Sequence, residues 1–330
     1  MPDRYPIAVI GGDGIGPEVV EAELAVLQAT GLAFDFTHYP AGDDHQARTG
    51  QAMPAETIAG AQAARAVVFG AAGASAAEVI IRLRSELGTY VNLRPSRAYP
   101  GVACLRPETD LYIVRENTEC LYVGDERAES PERAYATRLI TAEASTRIAR
   151  WAFEYAAAGG FRKVTAAHKA NVLKVTDGLF LDCCRRVAAE FPGIELEEAL
   201  VDSLAMRLVL EPGQFGVVVT TNLFGDILSD LAAGLIGGLG MCPSANLGDE
   251  HALFEPVHGS APDLAGSGKA NPSAAILCGA MLLDYLGEKE AASRVTGALE
   301  RCLAEGETTG DLGGSLSTME MARAVIERMG

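Results

Sequence analysis

The chain has 330 residues, 48% apolar and 22% charged, which is enough to bury a core in about two domains and rules out a wholly disordered chain. Its 27 Lys plus Arg against 44 Asp plus Glu leave a formal charge of −17, so it lacks the basic face a nucleic-acid binder needs and disfavours an anionic membrane surface. Residues 5–10 form a short apolar run stopped by Gly11-Gly12, which predicts a buried strand ending in a tight turn. Pro17 suits the head of a helix over 18–30. Further strands are predicted at 66–69, 110–115, 163–168 and 215–220. Helices over 141–158, 179–190, 226–235 and 274–285 alternate with them. Such alternation indicates an α/β protein with a largely parallel sheet. The polar, charged stretch 125–133, which carries Pro131, reads as an exposed surface loop. The seven cysteines form no C-x-x-C pair and sit mostly among apolar residues, so they read as buried free thiols. The start lacks the pattern of a secretory signal and no long run is wholly apolar, so the expectation is a cytoplasmic protein without a membrane span.

Several common signatures fail. The glycines from Gly11 to Gly16 follow a strand and precede a helix, but a dinucleotide fingerprint beginning at Gly12 and Gly14 would need glycine where Pro17 stands. Lys269 follows Gly268, yet Asp263 and Ala270 occupy the glycine and Ser/Thr positions of a P-loop. There is no H-E-x-x-H and no G-x-S-x-G.

Two clusters carry chemistry. Asp226 and Asp230 are spaced i, i+4, so a helix places them on one face. The segment around them is otherwise apolar, and acids in such surroundings tend to be paired or metal-bound. Oxygen donors suit Mg²⁺ or Mn²⁺. Asp202, beside another apolar run, is a third acid able to complete the site. Between residues 80 and 115, Arg82, Arg84, Arg94, Arg97, Arg106 and Arg115 are opposed only by Glu86, Glu108 and Asp110. This local excess of positive charge suits a polycarboxylate, which arginine forks grip in a bidentate way. Arg84, Arg94 and Arg115 are the candidates for that role. Arg82 points to another side of its helix and reads as structural.

The segments IGGDGIGPEVV, NLRP, VRENTECLY, HKANVLKVTDGLF, TTNLFGDILSDLAAGL and FEPVHGSAPDLAGSGKANP occur in one order along nearly the whole chain. Together they resemble the β-decarboxylating dehydrogenases, the family of isocitrate, homoisocitrate, 3-isopropylmalate and D-malate/tartrate dehydrogenases. The resemblance implies the two-domain α/β fold of isopropylmalate dehydrogenases, which is not a Rossmann fold, with a mixed or parallel sheet flanked by helices. It implies a cofactor-binding domain from 1–97 and 248–330 and a metal-, substrate- and dimer-forming domain from 98–247, with an intersubunit arm near 125–140. It also implies a homodimer or a dimer of dimers with shared active sites.

By the same resemblance, Arg84, Arg94 and Arg115 hold substrate carboxylates, with Asn171 nearby. Asp226 and Asp230 of one subunit and Asp202 of its partner bind the metal. Lys169 is the catalytic base, donated across the interface, and Tyr122 the catalytic tyrosine. Ile15, Glu255, His258, Gly259, Ser260, Ala261, Asp263 and Asn271 contribute to the cofactor site. An acid at Asp263 accepts ribose hydroxyls and repels a 2′-phosphate, which implies NAD rather than NADP. The Asn117-Thr118-Glu119 stretch and His168-Lys169 resemble the tricarboxylate enzymes most, which makes oxidative decarboxylation of homoisocitrate to 2-oxoadipate, a step of lysine biosynthesis, the leading expectation. Isocitrate and 3-isopropylmalate, the leucine-pathway substrate, are the alternatives. Ile81 stands where homoisocitrate enzymes often carry an arginine and would suit an isopropyl group; Arg82, Ser75 or a partner-subunit group would have to replace that charge. A non-catalytic regulatory subunit of the same fold is a distant alternative, because such a chain is expected to lose the metal acids or the lysine.

Overall fold

The computed structural model describes residues 4–330. Strand β1 (Tyr5–Gly12) turns into helix α1 (Gly16–Ala29), with Pro17 at its head, where a missing N–H costs nothing. Strand β2 (Phe34–His38), helices α2 (Asp43–Thr49) and α3 (Ala55–Ala63) and strand β3 (Ala66–Ala71) follow. A five-residue π-helical turn, Ala77–Ile81, leads into α4 (Arg82–Glu86), then strands β4 (Val91–Arg97) and β5 (Asp110–Glu116). After β6 (Glu126–Ser130) and β7 (Arg133–Ala136) come α5 (Ala142–Ala158), β8 (Lys163–His168), α6 (Thr176–Ala188) and β9 (Glu195–Leu200). The chain continues through α7 (Val201–Leu210), β10 (Val217–Thr220), α8 (Asn222–Ile236), β11 (Pro243–Leu247) and β12 (Ala252–Pro256). Helices α9 (Ser273–Tyr285), α10 (Lys289–Glu305) and α11 (Thr318–Met329) complete it.

Two units divide the chain. The first takes the chain up to Thr89, Ala98–Pro107 and Ile236–Gly330; the second takes Tyr90–Arg97 and Glu108–Leu235. The division therefore does not fall at the expected 97/98 and 247/248. Strand β4 pairs antiparallel with β5 along its whole length, from Val91↔Glu116 to Arg97↔Asp110, which ties it to the second unit. Strand β11 pairs antiparallel with β12, which in turn lies parallel to β3, and this ties 236–247 to the first.

In the first unit the strand order is β2-β1-β3-β12-β11, parallel except for the last pair. Helix α9 is apolar and buried over most of its length; α1 and α10 pack with it, and α11 packs with α1 and α10. One acid is enclosed among them. Glu23 on α1 is 1% exposed and lies against Gly279 of α9. Neither carboxylate oxygen has a hydrogen-bond partner among the described residues. Burial pushes its carboxyl well above the ordinary glutamate range.

In the second unit the order is β4-β5-β10-β8-β9, with all pairs but the first parallel. The buried run Val217–Thr220 sits centrally, as its four consecutive apolar and β-branched residues require. The stretch read as a surface loop is instead a two-stranded hairpin, β6 with β7, turning at Pro131-Glu132. Every residue of it is exposed. Its sequence has no apolar face, so nothing in the periodicity announces a strand. All seven cysteines are free, and all but Cys104 are buried. Among the described residues no helix is long and apolar enough to cross a membrane.

Candidate active site

The second unit gathers a charged cluster on one side of its sheet. Arg115 on β5 lies opposite Asn92 of β4, and Arg94 lies opposite Ile113, so the two arginines project from the same face. Arg115 is 1% exposed. Its Nε and Nη2 donate to Asn222 Oδ1 at 3.0 and 2.7 Å, and its Nη1 donates to Asp226 Oδ1. Gly225 of α8 is required here, because a Cβ would lie 2.6 Å from the Arg115 side chain. Arg94 Nη1 donates to Ser229 Oγ at 2.6 Å and stands 3.3 Å from Asp226 and 3.5 Å from Asp230. The i, i+4 carboxylates thus share one helix face and one pair of guanidinium groups. The Tyr122 hydroxyl donates to Asp226 Oδ2 at 2.7 Å, with the Arg115 guanidinium 5.0 Å from its ring centre. Desolvation holds the Tyr122 phenol above its usual pKa; Arg115 opposes this and the Asp226 hydrogen bond adds to it. Desolvation also raises the Asp230 carboxyl, against the pull of Arg94 and with the Asp226 charge adding to the rise.

Asp202 does not join this pair. At the start of α7, it accepts from Lys169 Nζ at 2.5 Å. Among the described residues no group of three or more His, Cys, Asp or Glu converges to hold a metal within one chain, and Asp202 is the acid expected from the partner subunit. The donor set still fits a hard divalent cation in part. Asp226 and Asp230 offer oxygen ligands only, and the Asp230 side chain is 55% exposed and open to a ligand. Lys169 itself is held by its backbone: its N–H donates at 2.5 Å to Asp177, which is completely buried and paired with Arg138. Arg138 also donates to Thr176 and Thr221. Asn171 lies exposed just beyond, followed by Val172, Leu173 and Val175, of which Val175 is 84% exposed.

In the first unit Arg84 is already engaged. Its Nε and Nη2 donate to Glu255 Oε1 at 3.1 and 2.6 Å, and Asn246 donates to the same oxygen at 2.7 Å. Glu255 is therefore the buried counter-ion of Arg84, through Oε1. Ile81, at the end of the π-helical turn, is half-buried against the apolar cluster that includes Val79, Ile80 and Leu83. The loop before it is pinned by two carboxylates. Asp13 accepts the N–H groups of Asp43 and Gly73 at 2.7 and 2.8 Å, and Asp43 accepts those of Ala74 and Ser75 at 2.8 and 2.7 Å. Ser75 is buried within this network. Arg82 makes an exposed i, i+4 pair with Glu86.

The glycine-rich turn after β1 meets the segment after β12. Ile15 N–H donates to Ser260 O at 2.8 Å, and Gly14, at φ +58°, approaches so closely that a Cβ would lie 1.9 Å from that oxygen. His258 is half-buried, and desolvation lowers its imidazole pKa. Gly259, Ala261 and Asp263 are exposed, and Ala261 adopts φ +39° ahead of the short turn Pro262–Leu264. Asn271 is buried and donates to Asp311 at 2.9 Å. Glu18 braces the far side by accepting from the N–H groups of Gly268 and Ala270. Asp13, Glu18, Asp43, Asp177 and Asn222 were not singled out from sequence. Of these, Asp177 carried a usable signal, an acid at the head of the apolar run GLFL after HKANVLKVT.

The family model described as isocitrate/isopropylmalate dehydrogenase matches residues 6–325. The chain is 56% identical over 329 residues to 3-isopropylmalate/3-methylmalate dehydrogenase of Methanocaldococcus jannaschii, covering 98% of this chain and 99% of that one. It is 50% identical over 331 residues to isocitrate/homoisocitrate dehydrogenase of Thermus thermophilus, covering 98% of each. The crystal structure of isocitrate dehydrogenase from Methylococcus capsulatus matches with a TM-score of 0.95 at 42% identity, over 98% of this chain and 99% of that one.

Proposed function

Because the chain belongs to the isocitrate/isopropylmalate dehydrogenase family of β-decarboxylating dehydrogenases acting on 2-hydroxy acids, we propose that its substrate is 3-isopropylmalate, oxidised with NAD⁺ and Mg²⁺ or Mn²⁺ to 4-methyl-2-oxopentanoate and CO₂. Ile81 carries this reading. An aliphatic side chain half-buried three residues before Arg84 suits an isopropyl group and offers no charge to the extra carboxylate of homoisocitrate. The relative named for 3-isopropylmalate and 3-methylmalate, at 56% identity, supports it over homoisocitrate, the substrate first expected from the Asn117-Thr118-Glu119 motif.

The residues divide the work by their chemistry. Arg94 and Arg115 grip the carboxylates, a role the resemblance also assigns to Arg84. Asp226 and Asp230, with Asp202 of a second copy, would hold the cation. When bound, the cation supplies the charge that acidifies the C2 hydroxyl and stabilises the enolate, while NAD⁺ supplies the hydride acceptor. Lys169 of a second copy takes the hydroxyl proton as the neutral amine, the form available once the Asp202 that pairs with its ammonium in the free chain is taken up by the cation. Tyr122, kept protonated by its surroundings, gives a proton to C3 after CO₂ has left. The exposed Val172, Leu173 and Val175 beside Lys169 support a homodimer that covers them.

The test is kcat/KM for 3-isopropylmalate, homoisocitrate, isocitrate and D-malate with both NAD⁺ and NADP⁺. 3-Isopropylmalate is expected to lead homoisocitrate by more than about tenfold, a margin within reach of one pocket contact. A lead for homoisocitrate would return the assignment to the tricarboxylates. Ile81→Arg is expected to lower 3-isopropylmalate turnover by about 10- to 100-fold and to raise homoisocitrate use relative to it. Asp263→Lys is expected to shift preference from NAD⁺ towards NADP⁺; an unchanged ratio of the two kcat/KM values would remove Asp263 from the ribose site.

A further inference from the structure

Between β5 and α5 the backbone takes a shape that side chains avoid. Cys120 has φ +74° and ψ −141°, a region open mainly to glycine, and its side chain is fully buried. Such a conformation persists only where its surroundings over-determine it. Two buried carboxylates surround it, and neither has a part in the reaction proposed above. Glu116 Oε1 accepts from the N–H and hydroxyl of Thr118 at 2.8 and 2.5 Å, and its Oε2 accepts the Glu119 N–H at 3.0 Å. The Glu119 carboxylate reaches the other way, accepting from the N–H and the hydroxyl of Thr141, each at 2.9 Å. Thr141 caps α5, its Oγ1 accepting the Ala144 N–H. The far end of the clamp is therefore the head of a packed 17-residue helix. Across the same gap Cys120 N–H donates to Leu139 O at 2.9 Å. Immediately after Cys120 the 3₁₀ turn Leu121–Val123 delivers Tyr122 to Asp226.

We propose that Glu119 is a positioning residue for Tyr122: by gripping Thr141 while Glu116 holds its amide, it pins Cys120 at positive φ and so sets the direction in which the tyrosine leaves the turn. The catalytic consequence rests on Tyr122 being the proton donor; the clamp itself does not.

The test uses the full-length enzyme with its best substrate and five variants. Glu119→Ala is expected to lower kcat by about 10- to 100-fold, as a misplaced catalytic group does, with KM and thermal midpoint little changed. It should also speed hydrogen exchange of the Cys120 amide by about tenfold or more, since the Leu139 carbonyl that accepts it is no longer held against the turn through Thr141. Cys120→Gly alone is expected to leave kcat close to wild type. Combined with Glu119→Ala it is expected to recover most of the lost kcat, because glycine adopts the turn unaided. A merely structural role at the head of α5 would not be rescued in this way, so loss without rescue overturns the proposal, as does an unchanged kcat. Should Glu119→Ala fail to fold, Glu119→Gln, which keeps the side-chain shape, is read by the same measurements. Tyr122→Phe separates the two readings. Full kcat in that variant would overturn the proton-donor role and with it the catalytic consequence, whereas an unchanged Cys120 exchange rate in Glu119→Ala would overturn the clamp whatever Tyr122 does.

Discussion

Asp226→Asn is expected to lower kcat/KM by at least about 10³-fold, the scale on which preorganised charge at a reacting centre acts. No other side chain meets so many of the candidate groups. Its two oxygens contact Arg115, Arg94 and Tyr122, and it shares a helix face with Asp230. The amide keeps the shape but removes the charge. The buried Arg115 guanidinium then loses the Asp226 carboxylate, and the proposed cation site loses one of its two ligands from this chain. The Mn²⁺ concentration for half-maximal activity should rise together with the loss of turnover. The measurement is initial rate against Mn²⁺ for wild type and variant, with a thermal midpoint as control for folding. An Asn variant that keeps more than a tenth of the wild-type rate at the same Mn²⁺ requirement would exclude Asp226 as a metal ligand.

Glu23→Leu is expected to stabilise the protein at neutral pH by about 1–3 kcal/mol, the scale of cost for a buried polar group without partners. The carboxyl lies between α1 and α9 with no hydrogen bond to either oxygen, and burial raises its pKa well above the glutamate value. At a pH above about 4.5 the unfolded chain ionises this group while the folded chain still holds its proton, so unfolding releases a proton and stability falls as pH rises. This contribution is fully present below that pH and is lost as pH climbs towards the raised folded value. The advantage of Glu23→Leu over wild type should therefore widen from pH 5 to pH 8. Glu23→Gln separates the causes, since it removes the titration but leaves a polar group enclosed; it should flatten the slope with little net gain. Thermal midpoints at three pH values decide it, and a gap that stays constant with pH would show that the folded protein does not hold the Glu23 proton beyond the pH at which the unfolded chain releases it.

The elements legible from sequence are those whose burial is nearly uniform. Val217–Thr220 is buried on both faces and reads as an unbroken apolar run, and Lys163–His168 is nearly so. Strands with one wet face were passed over. Phe34–His38 alternates Phe with Asp and Thr, and Glu195–Leu200 carries three acids on a strand at the edge of its unit. At the site, the i, i+4 spacing was enough to place Asp226 and Asp230 on one face, because helix geometry is local. The Lys169–Asp202 pair and the Asp177–Arg138 pair were not legible from spacing, since parallel strands bring together groups far apart in the chain. The Arg84–Glu255 pair shows the same limit more sharply: both residues had been noted, for separate ligands, and only the fold reveals that they bind each other.

The pairing of β3 with β12 bears on how the chain acquires its structure during synthesis. Strands β1, β2 and β3 are complete once Ala71 has been made, but Val67 and Val68 find their other partners only in Leu253 and Phe254. About 180 residues separate these strands, so translation at about 5–20 residues per second leaves the β3 edge open for roughly 10–40 seconds. That edge is a row of unpaired amides on an entirely apolar strand, the kind of surface to which other nascent chains pair. The second unit is finished at Leu235, before the first can close. The order of assembly is therefore inverted with respect to the order of synthesis, and the unit begun first is the one that most needs a chaperone while it waits.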